Sequence, residues 1–136
     1  MTIAEVGKKY ELTPDTLRYY ERIGLIPSVP RTQGGIRDYD ENACRWVEYI
    51  KCMRAAGVSV EILAEYVALF GQGRDTIAAR KKLLLEQRRQ IVVRIDELNA
   101  VLQKLDWKLD GYEERMLKYE ERLSSPAQNQ TEKREV

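Results

Sequence analysis

The sequence predicts a mainly α-helical protein, in which an N-terminal winged helix-turn-helix is followed by one long helix that pairs with a second helix. Capping residues recur at short intervals through the first half, which indicates several short helices there. A seam of apolar residues runs through the second half with the spacing of a coiled coil. We therefore expect a globular domain over 1–71, a coiled-coil helix over 72–123 and a polar, disordered tail over 124–136.

The first two helices are predicted from their apolar spacing and their end signals. Ile3 and Val6 are spaced for one face of a short helix. Thr13 followed by Pro14 is typical of a helix start, and Gly24 is a suitable stop for this second helix. Two short helices joined by a tight turn indicate a helix-turn-helix.

The segment 27–40 lacks apolar periodicity and is punctuated by prolines and glycines. Gly34 and Gly35 suit a tight hairpin turn between short extended segments, which predicts a β-wing. Asp40 then caps a third helix, and Ser59 starts a fourth.

The long helical pattern runs from about Asp75 to Leu123, and Gly111 is a point where it could bend or break. A seam this long cannot be covered by a domain that is already complete, so it requires a partner helix. The residues that we expect to form the dimer contact are Ile91, Ile95, Leu98, Leu102, Leu105 and Leu109.

Composition excludes several classes of protein. The chain contains two cysteines and no histidine, so it cannot build a catalytic triad, a His-bearing zinc site or, within one chain, an iron-sulfur cluster. A thiol enzyme lacks the histidine that would activate its cysteine. We expect neither enzymatic activity nor a cofactor or metal.

No apolar run approaches the roughly 20 residues needed to cross a bilayer, and no secretion signal is present. The sequence therefore predicts a soluble cytoplasmic protein without membrane contact.

Charge gives a local indication of a nucleic-acid partner and no global one. The net charge is +1, and residues 1–71 carry nine Lys or Arg against ten Asp or Glu. Between Lys8 and Arg37, however, six basic residues stand against three acidic ones. A DNA-binding surface must therefore come from local arrangement.

The segment TLRYYERIGLIP over 16–27 is the most specific feature of the chain. A helix that enters the major groove needs side chains that reach bases or phosphates. Arg18, Tyr19 and Tyr20 supply a forked donor and two hydroxyls close together. The alternative is an ordinary amphipathic helix with solvated arginines, and the residues alone leave both interpretations open.

Three segments in register, TLRYYERIGLIP, GGIRDYDE and MRAAGVSVEIL, resemble the signature of the MerR family of transcription regulators. The resemblance covers residues 1 to about 71 and implies a homodimer held by an antiparallel coiled coil. It implies that the DNA-binding residues are Thr16, Arg18, Tyr19, Tyr20, Arg37, Tyr39, Arg54 and Ser59.

These implied residues have different roles. Arg18 and its two tyrosine neighbours would lie on the recognition helix, and Arg37 and Tyr39 on the wing against the sugar-phosphate backbone. Ser59 would lie at a helix N-terminus beside a phosphate, which such termini favour. For Thr16 and Arg54 a structural role is an equal alternative.

The whole chain is similar to the NmlR/AdhR branch of that family, whose members respond to reactive aldehydes or related electrophiles through a helix cysteine. Cys52 matches that cysteine, and it falls nearly opposite the core stripe of its own helix. Three cations near it in sequence, Arg45, Lys51 and Arg54, would favour the thiolate, whereas Glu48 one turn earlier would oppose it. The alternative is a cysteine packed inertly against the partner helix. Cys44 has no family match, and a structural role is expected.

The resemblance implies a mechanism as well. The dimer would bind a promoter spacer and, when activated, twist and bend it so that RNA polymerase can engage both promoter elements. The effector would be an aldehyde that acts on a thiol. The alternatives are a regulator with a non-covalent small-molecule effector and a coiled-coil adaptor that does not bind DNA.

Overall fold

The structure is a computed structural model that describes residues 1–124. These residues form α1 (Ile3–Tyr10), α2 (Pro14–Arg22), α3 (Glu41–Ala55), α4 (Val60–Gln72), α5 (Ile77–Leu109) and α6 (Tyr112–Ser124). A 3-10 turn over Arg74–Thr76 leads into α5. The mainly α fold is therefore confirmed. The tail predicted over 124–136 lies, after Ser124, outside the described residues.

The helices begin where the sequence places their capping residues. The side chains of Thr13, Asp40 and Ser59 each accept a hydrogen bond from the backbone N–H three residues further on, at 3.1, 2.8 and 3.4 Å. At α1 the cap is reciprocal, because Thr2 and Glu5 each bind the other's backbone N–H. Each cap satisfies a donor that the helix leaves unpaired, a contribution of about 1 kcal/mol.

The wing is smaller than the predicted β-hairpin. Within the described residues it is a turn closed by one antiparallel bridge between Arg31 and Arg37, with Gly35 at a φ of 82°. A longer ladder is blocked on one side, because Pro30 has no N–H and the N–H of Val29 is taken by a carboxylate of α2, Glu21. The wing is thus held by side chains more than by strand pairing.

The hydrophobic core lies among α1 to α4 and the wing. Its largest fully buried side chains are Tyr39, Leu17, Leu25, Ile50, Leu63, Val6, Val47 and Val58. Burial of each aliphatic member is worth about 1.5–3 kcal/mol, so this cluster supplies most of the stability of the domain.

The compact unit extends into the long helix and comprises Met1–Ile95. Gln87 of α5 is only 2% exposed, and its side chain accepts a hydrogen bond from the hydroxyl of Tyr49 on α3. Ile91 is half-buried against the core. The first half of α5 therefore belongs to the packing of the N-terminal domain as well as to the predicted seam.

The second unit begins at Asp96 and contains the rest of α5 and α6. Gly111 separates the two helices with a φ of 66°, a left-handed conformation that favours glycine. The guanidinium of Arg115 donates to the carbonyls of Trp107 and Lys108 at the end of α5. The helix is therefore broken at Gly111. None of the described helices has the length and apolar character that a membrane span requires.

Two glycines provide a matched test of packing. A methyl group at Gly7 would lie 2.6 Å from the backbone oxygen of Leu12, whereas one at Gly71 in α4 would meet nothing within 4 Å. We expect Gly7→Ala to lower the free energy of unfolding by about 1–3 kcal/mol and Gly71→Ala to raise it by up to about 1 kcal/mol. Urea denaturation measures both. Equal effects of the two changes would contradict the close approach at Gly7.

Candidate nucleic-acid interface

The outer face of α2 carries the exposed groups expected of a recognition helix. Leu17 and Tyr20 face the core, so Arg18, Tyr19 and Arg22 point away from it. Arg18 pairs with Asp15 at 2.9 Å in an exposed ion pair, which is a weak bond that DNA phosphates can replace. The guanidinium of Arg22 lies over the ring of Tyr19, 5.5 Å from its centroid.

Two predicted contact residues occupy the core instead of the surface. Tyr20 is 7% exposed and Tyr39 is 1% exposed. Burial raises the pKa of both phenols above the usual value. The expectation that Tyr39 presents a free hydroxyl to DNA is corrected, because its hydroxyl is buried together with its ring, and the ring of Tyr20 also packs in the core. Within the described part of the chain the hydroxyl of Tyr39 is buried without a hydrogen-bond partner. The positive charge of Arg54 acts on the hydroxyl of Tyr20 and lowers its pKa, which partly offsets the effect of burial.

Glu21 joins the wing to α2, a role that the sequence does not predict. One carboxylate oxygen of Glu21 accepts from Nε of Arg37 at 2.6 Å, and the other accepts from the N–H of Val29 at 2.8 Å. Arg31 approaches the same carboxylate at 3.9 Å. The predicted DNA contact Arg37 thus uses its Nε to position the wing. The one available signal is that Glu21 is the only acid among the four arginines of residues 18–37.

The electrostatics of this joint favour the charged carboxylate. Burial raises the pKa of Glu21, but the hydrogen bonds from Arg37 and Val29 and the charges of Arg37 and Arg31 outweigh it and hold the pKa below the usual 4.5. The Glu21 side chain is 12% exposed, so water screens these contacts little.

The remaining predicted DNA contacts lie at helix ends. Thr16 shares a hydrogen bond of 2.9 Å with the cap Thr13, and Arg54 donates to the carbonyl of Val58 at 2.7 Å. Both therefore have structural roles. Ser59 caps α4, and its N–H donates to the side chain of Gln90 on α5 at 2.9 Å.

The two cysteines differ in exposure. Cys44 is buried, as a structural role requires, and Cys52 is exposed. The three cations expected near Cys52 bind elsewhere: Arg45 pairs with Glu41, Lys51 donates to the carbonyl of Tyr10, and Arg54 donates to Val58. The three cations are therefore engaged with other groups, and their effect on the Cys52 thiol stays a prediction.

The predicted seam is apolar and largely uncovered in the single chain. Its members from Ile95 onward are half or more exposed, namely Ile95, Leu98, Leu102, Leu105 and Leu109. Ile91 differs, because it packs partly against the N-terminal core.

The fold is typical of a DNA-binding regulator, since it combines a helix-turn-helix and its wing with a long helix. Residues 1–69 match the family described as MerR HTH family regulatory protein, and residues 44–108 match the one described as MerR, DNA binding. The chain therefore belongs to the MerR family of transcription regulators, and it is a regulator and not an enzyme.

The chain is also similar in sequence and structure to individual regulators. The transcriptional regulator AdhR of Bacillus subtilis (strain 168) is 54% identical over 92 residues, which are 68% of this chain and just under two thirds, 66%, of AdhR. A putative MerR family regulator from Listeria monocytogenes has a TM-score of 0.82 at 40% identity and covers 91% of this chain and 94% of its own. HiNmlR, a MerR family regulator solved bound to promoter DNA, has a TM-score of 0.76 at 28% identity, covering 85% of this chain and 92% of HiNmlR.

Removal of the Glu21 charge tests the joint between α2 and the wing. At neutral pH, Glu21→Gln should lower the free energy of unfolding by about 2 kcal/mol, because two bonds to a charged acceptor are weakened. Since folding lowers the pKa of Glu21, this contribution is complete above the unfolded pKa near 4.5 and disappears as the pH falls through the folded value.

Urea titrations of both proteins from neutral to acid pH measure this difference. The control is Glu41→Gln, which removes an exposed pair with Arg45 and should change stability by less than about 1 kcal/mol. A pH-independent difference between wild type and Glu21→Gln would contradict the assigned ion pair.

Proposed function

We propose that the protein acts as a homodimer that binds a promoter spacer and distorts it so that RNA polymerase can initiate transcription. The observation that carries this proposal is the likeness to HiNmlR, whose structure was solved on promoter DNA. The exposed Arg18 on α2 supports the same geometry, since a recognition helix must present donors to the groove. MerR-family membership favours this function over a coiled-coil adaptor without DNA binding.

The proposed dimer is supported by the apolar seam of α5. Leu98, Leu102 and Leu105 are each more than half exposed in the single chain, and they recur at coiled-coil spacing. Burying one leucine in a partner interface gains about 1.5–3 kcal/mol, so several together favour association strongly. A dimer also places two recognition helices on two half-sites.

Charges in the seam test the dimer. Leu98→Lys combined with Leu102→Lys should give monomers in analytical ultracentrifugation, and these monomers should bind operator DNA poorly because the second half-site is lost. The matched control, Asn99→Lys with Gln103→Lys, shifts the same charges off the seam by one residue and should remain dimeric. A dimeric Leu98→Lys, Leu102→Lys protein would show that the seam is wrongly assigned.

The proposed effector is a reactive aldehyde that adds to Cys52. Support comes from the exposure of the thiol and from the 54% identity to AdhR. The new bond joins sulfur to the carbonyl carbon, and the thiol proton moves to the carbonyl oxygen, so a hemithioacetal forms without an oxidant. The adduct places bulk on the exposed side of α3, and this bulk would favour a different packing of the dimer.

Replacement of the thiol tests the sensor. Cys52→Ser should bind operator about as tightly as wild type, because the switch acts on promoter geometry, but it should not raise transcription when aldehyde is added. Cys44→Ala, which keeps an apolar group in the core, should respond normally. Transcription with purified polymerase, with and without aldehyde, provides the measurement. Full induction of Cys52→Ser would refute the thiol sensor.

A groove between α3 and α5 favours a second candidate, a non-covalent effector. The groove has a volume of about 420 Å³, and its mostly apolar walls include Met53, Leu84 and Val92. Gln87 also lines it, and the side-chain amide nitrogen of this residue is buried without a hydrogen-bond partner within residues 1–124. Aldehyde-dependent induction that persists in Cys52→Ser would favour this site.

A further inference from the structure

The outer face of α2 is a single stripe of four exposed residues. They follow one another at i, i+3, i+4 and i+7, a spacing that places them on one side of an α-helix, and they are Asp15, Arg18, Tyr19 and Arg22. The buried residues of α2, Leu17 and Tyr20, lie on the opposite side. This outer stripe is therefore the part of α2 that a ligand can reach.

Asp15 is an acid in a stripe that the proposed function turns towards DNA. Its side chain is 95% exposed, so packing in the core does not account for it, and a carboxylate close to DNA phosphates is repelled by them. An acid in the first turn of a helix does stabilise that helix. This structural contribution is the alternative from which a role in DNA binding has to be distinguished.

The carboxylate of Asp15 holds one end of the Arg18 guanidinium. Its Oδ1 accepts a hydrogen bond from Nη1 of Arg18 at 2.9 Å. An arginine carries five N–H donors in a planar fork, and the edge formed by Nε and Nη2 takes no part in a bond made by Nη1. The contact with Asp15 therefore orients the guanidinium and leaves that edge for two parallel hydrogen bonds to a ligand.

The second arginine of the stripe is held by a neutral group. The guanidinium of Arg22 lies over the ring of Tyr19, 5.5 Å from its centroid, and an aromatic ring attracts a cation without carrying a net charge. This partner does not offset the charge of Arg22, so Arg22 is suited to phosphates of any sequence. Arg18 differs from it, because an acid is bound to its guanidinium.

We propose that Asp15 is a positioning residue for sequence specificity: it directs the free edge of the Arg18 guanidinium to a guanine and disfavours phosphate as a substitute ligand. This inference rests on the proposed contact of α2 with the major groove. Guanine presents O6 and N7 side by side there, and an arginine binds both through two N–H groups. A guanine is neutral and leaves the pair with Asp15 intact, whereas a phosphate on the same guanidinium lies close to the carboxylate and is repelled.

Removal of the Asp15 charge separates positioning from helix stabilisation. Asp15→Asn changes the charge of the side chain with almost no change in its size. Affinity for DNA of random sequence should rise, because one repulsive charge in each subunit is lost, and affinity for the operator should not rise, because Arg18 is no longer oriented. The ratio of operator affinity to random affinity should fall about 2- to 5-fold. Loss of helix stability alone would weaken binding to both duplexes in parallel.

The measurement is fluorescence anisotropy of the full chain with two duplexes of equal length, one with the operator located by footprinting and one with its sequence scrambled. The matched control is Glu41→Gln, which removes an exposed first-turn acid that pairs with Arg45 at 2.6 Å on α3. It should leave the ratio unchanged. In a chain that already carries Arg18→Ala, Asp15→Asn should also leave the ratio unchanged, because no guanidinium remains to be positioned. Thermal melting monitors folding.

A lower ratio in Asp15→Asn that disappears in the Arg18→Ala background supports the inference. An unchanged ratio in Asp15→Asn overturns it, and so does an equal fall with and without Arg18. Arg18→Ala alone distinguishes the level of failure. If it weakens operator binding while Asp15→Asn leaves the ratio unchanged, only the role of Asp15 fails, and if it has no effect on operator binding, the proposed contact of α2 with the groove fails as well.

The base that Arg18 contacts is tested with modified operators. Single guanines are replaced by 7-deazaguanine, which lacks the N7 acceptor, so one replacement in each half-site should weaken binding of the wild-type protein. The same replacement should have no effect on the Arg18→Ala protein. Wild-type binding that tolerates every single replacement would contradict the guanine contact.

Discussion

The packing of the first half of α5 on α3 and α4 is the interaction on which the rest of the structure depends. Gln87 is almost fully buried and binds Tyr49, and Ile91 adds apolar contact with the core. A long helix gains little from its own propensity in water, so tertiary packing must hold it. Because α5 is anchored here, its first half, up to Ile95, belongs to the same compact unit as the DNA-binding helices.

Polar side chains, and not only apolar burial, determine the geometry of the DNA-binding surface. Glu21 joins the wing to α2 through Arg37 and Val29, and Gln90 joins α4 to α5. Hydrogen bonds are directional, so they fix orientation where apolar contacts would permit sliding. Both joints include residues that the sequence predicts to contact DNA, Arg37 and Ser59.

Much of the fold and part of the site could be predicted from residues alone. The helix starts could be predicted from three capping residues, Thr13, Asp40 and Ser59. Each has a short polar side chain that accepts a hydrogen bond from one of the first N–H groups of the following helix. Arg18 is exposed as expected, because it lies off the apolar face of α2. Tyr20 and Tyr39 were assigned to the surface and lie in the core. A tyrosine has both an apolar ring and a polar end, so its sequence position alone does not decide which one faces inward.

The sequence by itself determined the helix boundaries, the family and the long apolar seam, since capping, periodicity and motif spacing are local properties of the chain. Only the tertiary structure decided the partners of the charged and amide groups. Glu21 with Arg37, and Gln90 with Ser59, are 16 and 31 residues apart. The cations next to Cys52 in sequence bind other groups in space, as Lys51 does at Tyr10. Electrostatic and hydrogen-bond energies depend on distance through space, and the order of residues along the chain does not encode that distance directly.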